Sequence, residues 1–161
     1  MQRDAREFLE RERDAWTPFL ALLELSDDAL ERPWAADGPT HGWSGRDLLG
    51  HLLFWQGHAL EVAGELAVGD TSPTREHWDA LWDERGDAVN DELVVAWRAR
   101  PMMELRDQAR AQPGELRRAL EALPASRWLD VPDVLTFFLD ETTDHYPKHR
   151  PELAALLAAT P

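Results

Sequence analysis

With 161 residues, 43% hydrophobic and 30% charged side chains, the chain has an ordinary globular composition and is expected to form one domain over residues 1–161. Its formal charge of −14 excludes the clustered lysine and arginine that a nucleic-acid or anionic-membrane surface needs. The absence of cysteine excludes disulfides, thiolate metal sites and an internal thiol nucleophile.

The chain opens on "MQRDAREFLERER", too charged for a secretory signal, and no run reaches the ~18 apolar residues of a membrane span. A cytoplasmic protein is expected. Phe8, Leu9, Trp16, Phe19, Leu20 and Leu23 recur at helical steps and predict a first helix, bent at Pro18. "SDDALERPWAADGPTHG", from Ser26, reads as turn and loop. A second helix begins at "WSGRDLLGHLLFWQGHAL", with Ser44 as N-cap and Asp47 as its capping-box partner. Leu48, His51, Trp55 and Val62 share one of its faces, and Gly69 ends it.

A third helical region starts at Pro73 after Ser72 and carries Trp78, Leu81, Trp82, Leu93 and Trp97. Leu105, Ala109, Leu116, Leu120 and Leu123 continue the pattern beyond Pro101, so residues 73–123 read as two helical pieces, with breaks near Gly86 and Pro101. Arg98, Arg106, Arg110 and Arg117 sit among acids and read as a solvated face. The last helix is expected from Pro132 past Phe138 to Leu157. Four long amphipathic segments with short connections predict an all-α four-helix bundle.

Of six histidines, His41 falls in a loop and His77 beside Trp78, and both read as solvated. His51 lies between Leu48 and Trp55 on an apolar face, as a hydrogen-bonded core residue or a ligand; His58 is a reserve ligand or a rim residue. In "TTDHYPKHRPEL", His145 and His149 are four apart and share a stripe with Phe138, Thr142, Leu153 and Leu156. Two inward imidazoles would be costly unless something satisfied them, and a zinc, nickel, copper or iron ion would do so. Two solvated histidines are the alternative, and Pro147 between them should disturb the helix.

"GWSGRDLLGHLLFWQ" resembles the second-helix signature of the DinB-like (DinB/YfiT) superfamily, and "DHYPKHRPEL" resembles its last-helix histidine segment. Residues 87–123, "DAVNDELVVAWRARPMMELRDQARAQPGELRRALEAL", resemble the ClbS/DfsB branch. The resemblance implies an antiparallel four-helix bundle, often dimeric, with a metal held by His51, His145 and His149. It also implies a range of chemistries: transfer or isomerisation dependent on an exogenous low-molecular-weight thiol, hydrolysis, and resistance to reactive metabolites.

The expected function is therefore a divalent-metal-dependent enzyme, a hydrolase or a thiol-dependent transferase using Zn, Ni or Fe on a small reactive molecule. Alternatives are a non-catalytic bundle that sequesters or resists such a molecule, and a metal that only pins the helices. Asp47 and Glu141 are candidate orienters of the ligand imidazoles, and Trp43, Trp55 and Tyr146 are candidate lining residues.

Overall fold

Ser44 sets the start of the longest helix. Its hydroxyl accepts from the Asp47 amide at 3.1 Å while the Asp47 carboxylate accepts from the Ser44 amide at 3.0 Å. This reciprocal cap opens α3, Gly45–Val68, and Gly69 closes it, as the sequence predicts. The computed structural model describes residues 4–34, 38 and 41–159, and none of these is in a strand. The fold is all-α. No helix among the described residues is long and apolar enough to cross a membrane.

Around α3 pack α6 (Met102–Ala122), α5 (Ala88–Arg98) and α4 (Pro73–Arg85), and α1 (Ala5–Trp16) packs on α6. Pro18 does not merely bend the first helix; the chain tightens there into a 3-10 helix, Thr17–Glu24. Ser26 then caps one short helix, α2 (Asp27–Glu31), where a loop is expected. Residues 35–37 and 39–40 of that stretch lie outside the described residues, as do residues 1–3 and 160–161. Both breaks expected after Pro73 are present, so the region forms three helices rather than two. Gly86 ends α4 at φ +52°, a conformation that favours glycine, and Pro101 separates α5 from α6.

Leu48, Leu49, Leu52 and Leu53 of α3 pack with Trp16, Phe19, Trp97 and Leu105 in one apolar cluster. Ala59, Val62 and Leu66 pack with Phe8, Leu116, Leu120, Trp128 and Phe138 in a second. Between them, in sequence, fall Glu12, Gln56 and Gln112, all buried. They are joined by hydrogen bonds: Gln56 Nε2 donates to Tyr146 Oη at 2.8 Å, Tyr146 donates to Glu12 at 3.2 Å, and Gln112 donates to the Leu53 carbonyl at 2.7 Å. Arg117 closes the network on Glu12 at 2.6 Å. A buried polar layer that is satisfied throughout fixes the register of its helices. Burial is the main force on the Glu12 carboxyl, raising its pKa against the pull of Arg117.

The arginines are thus not one solvated face. Arg117 reaches the polar layer, Arg106 donates to the Leu23 and Leu25 carbonyls, and Arg98 grips Asp47; Arg110 is exposed.

The last segment departs most from expectation. The single helix predicted over residues 132–157 is three: α8 (Pro132–Glu141), α9 (His145–Lys148) and α10 (Arg150–Ala158), with the one-turn α7 (Ala125–Trp128) before them. Pro147 has no N–H for the Thr143 carbonyl, and Pro151 has none for the Pro147 carbonyl. The chain compensates with tighter turns, in which the Thr142 carbonyl accepts from both His145 and Tyr146 and the Tyr146 carbonyl accepts from His149.

Candidate metal centre

His51, two turns into α3, is 3% exposed and points at the broken segment. His145 begins α9, and His149 is the junction between α9 and α10, at φ −97° and ψ 6°. The two therefore do not share one uninterrupted helical stripe. Their rings nonetheless converge: Nε2 of His51 is 3.0 Å from that of His145 and 3.2 Å from that of His149, and the last two are 3.2 Å apart. Tyr146, between them in sequence, turns the opposite way into the polar layer. By doing so it anchors the turn that presents both histidines.

Three ring nitrogens this close cannot satisfy one another. Each Nε2 is either a donor or an acceptor, so at least one of the three pairs sets like against like. Protonation is no remedy. Burial pushes His51 down to about 2, with His145 and His149 adding to the effect, and pushes His145 down to about 3, with His149 adding. His149 is lowered too, chiefly by burial, although Glu152 opposes. Three neutral imidazoles that aim lone pairs at one point suit a cation, and a point about 2.0–2.1 Å from each nitrogen lies within reach of such a triangle. The cluster is compatible with a metal site.

Its support is uneven. Nδ1 of His149 lies 3.3 Å from the Glu152 carboxylate, which can hold its proton and fix the tautomer. Glu152, three residues beyond His149, is legible by its spacing but is absent from the sequence-based candidates. Nδ1 of His51 and of His145 are buried without a hydrogen-bond partner. Trp43 covers the cluster, stacked on His149 at 6.2 Å between centroids and 4.9 Å from His51.

The other candidates are sorted by the structure. Asp47 does not orient His51, because its carboxylate is held by Ser44 and, at 2.7–2.8 Å, by Arg98. Tyr146 is fully buried in the polar layer and does not line the site. Trp55 does line it. Glu141 faces His58 instead of a ligand imidazole, its Oε1 3.8 Å from His58 Nδ1. Burial, then Asp140 and Asp79, push the Glu141 carboxyl up to about 8 against Lys148. His58 is neither rim nor ligand: it is 4% exposed, pushed down to about 4 mainly by burial, and neither ring nitrogen has a hydrogen-bond partner. His41 and His77 are exposed.

The histidine triad and His58 open on one cavity of about 970 Å³ between α3, α4 and α8. A wall of neutral imidazoles beside a volume of that size is a place where a small molecule can meet an ion.

No curated protein and no solved structure matches the chain. The family model described as the mycothiol maleylpyruvate isomerase N-terminal domain matches residues 4–145, a span that takes in His51 and His145 and stops short of His149. The chain belongs to that family, a DinB/YfiT-like, metal-binding family linked to mycothiol-dependent enzymes.

Proposed function

We propose that the protein is a divalent-metal-dependent enzyme acting on a small, reactive molecule, with His51, His145 and His149 as the metal ligands. The observation that carries this reading is the triangle of Nε2 atoms, 3.0–3.2 Å on a side, at the wall of a cavity of about 970 Å³. Three protein ligands leave coordination positions for other molecules, the pattern of catalytic rather than structural sites. When bound, a zinc, nickel or iron ion supplies Lewis acidity towards a water or an exogenous low-molecular-weight thiol. The family description, which names mycothiol, supports the thiol.

The chain's own groups do the rest. Glu152 holds the Nδ1 proton of His149 and so keeps its Nε2 lone pair on the cavity side. Trp43 shields the triad from solvent. His58 and Glu141, 3.8 Å apart and opening on the same cavity, are the titratable pair placed to exchange a proton with a bound molecule. The reading also takes the fold as a four-helix bundle formed by α1, α3, α6 and the composite α8–α10, in one domain and as a cytoplasmic homodimer.

Elemental analysis of the protein beside its His51→Ala variant tests the centre. About one equivalent of transition metal in the first and almost none in the second is expected; a wild-type protein that cannot be loaded would end the proposal. The resemblance of residues 87–123 to the ClbS/DfsB branch supports a second reading, a non-catalytic bundle that sequesters a reactive molecule around a structural metal. Such a protein would titrate its ligand stoichiometrically and show no turnover.

A further inference from the structure

We infer that the cavity beside the triad receives an organic cation, an ammonium or onium group carried on an apolar body. The inference names a substrate class for the proposed metalloenzyme and to that extent rests on that reading, yet binding of the cation itself needs no metal.

Charge is the first observation. Asp79 and Asp83, one turn apart on α4, line one wall, and Asp133 and Asp140 of α8 line another. The permanent cations on the lining are Arg75 and Lys148, and Arg75 is already engaged by Asp79 at 3.7 Å. Carboxylates facing the cavity from two sides give it a negative potential that attracts cations and repels anions.

Ring geometry is the second. Trp55 meets Trp78 at 5.9 Å and 77°, and Trp82 at 5.8 Å and 87°, so three indoles form corners of an aromatic box. Trp55 is held in place by its Nε1 donating to Asn90 at 3.1 Å. Trp82 stays 41% exposed at the cavity, although a large ring gains more from full burial. Aromatic boxes of this kind recognise alkylammonium groups through the negative faces of their rings.

The third observation is independent of both. His58 is 4% exposed, opens on this cavity, and has neither ring nitrogen hydrogen-bonded; its nearest carboxylate oxygen, on Glu141, stands at 3.8 Å. A buried imidazole in that state wants a partner, and a ligand seated among Trp78, Phe137 and Glu141 would supply one. The cavity's volume of about 970 Å³ is ample for such a molecule.

Isothermal titration calorimetry with benzyltrimethylammonium and with phenylmethanesulfonate tests this, on the protein as purified and after chelation. The two probes are similar in shape, opposite in charge, and poor metal ligands. The cation should bind at least about tenfold more tightly in both states, and Asp79→Asn/Asp140→Asn and Trp82→Ala should each weaken it by about fivefold or more. These positions are exposed, and circular dichroism confirms that the variants fold. Equal or tighter binding of the sulfonate, or a cation affinity that neither variant changes, overturns the inference. Metal content is read separately: protein that cannot be loaded with metal yet selects the cation keeps this inference and sinks the metalloenzyme reading, while protein that loads metal without that selection does the reverse.

Discussion

Two parts of the molecule bring histidines to the same point by opposite means. α3 is continuous for 24 residues, capped at both ends and buried along most of its length, and it delivers His51 from a rigid rod. The α8–α10 segment is broken twice by missing backbone donors and delivers His145 and His149 from a turn pinned by Tyr146. The contrast teaches that histidines four apart in sequence can converge without sharing one helix face. Four residues suit one helical face, but here they span a junction between two short helices, and the rings still converge because the intervening tyrosine is anchored elsewhere.

The largest effect that separates the two parts should come from acid, which attacks their convergence. His51 and His145, at about 2 and about 3 when folded, lie far below the ordinary histidine value of 6.5, as does His58 at about 4. Above 6.5 the neutral rings cost nothing in either state; below it the unfolded chain takes up protons that the folded chain refuses. Stability should therefore fall as pH drops below 6.5 and keep falling towards pH 4, by roughly a kcal/mol for each such histidine at pH 5.5, with the raised Glu141 carboxyl offsetting part of it. Metal-free protein melted across pH 5–8 shows this; a flat profile contradicts it.

Rigidity of the rod is tested next. A Cβ on Gly50 would lie 2.9 Å from Cβ of Trp97, so α3 and α5 touch at a glycine. Gly50→Ala should cost about 1–3 kcal/mol by overpacking, and should disturb the metal centre through His51, the next residue. Denaturant unfolding and metal titration read the two effects.

On the broken segment, Glu152→Gln removes the carboxylate 3.3 Å from His149 Nδ1 and should weaken metal binding about tenfold with the melting temperature nearly unchanged. The smallest effect belongs to the residue that looks most disruptive. Pro147→Ala should change stability by less than about 1 kcal/mol and leave metal binding intact, because Tyr146, not the proline, holds the turn. A large loss of metal in that variant would show that the proline sets the geometry.

Much of α3 is readable from its residues: Ser44, Asp47 and Gly69 mark its ends because capping is local chemistry. The start at Ser72–Pro73 and the breaks at Gly86 and Pro101 are readable for the same reason. The three ligand candidates follow from the superfamily resemblance, and the structure brings those three together. What local pattern does not carry are partnerships made across the fold. Nothing near Asp47 reveals that Arg98, on another helix, takes its carboxylate. Tyr146 beside two inward histidines looks like a lining residue until Glu12 and Gln56 claim its hydroxyl. His58 shares nearly the same face as His51, yet seven residues further on it meets Phe137 and Glu141 instead of the triad.

X-ray absorption at the K-edge of the metal-loaded protein counts the imidazoles around the ion. Three imidazole nitrogens at about 2.0–2.1 Å are expected, with oxygen or sulfur in the remaining positions. Two imidazoles or fewer would contradict the tri-histidine site, as would a first shell made of carboxylate oxygens.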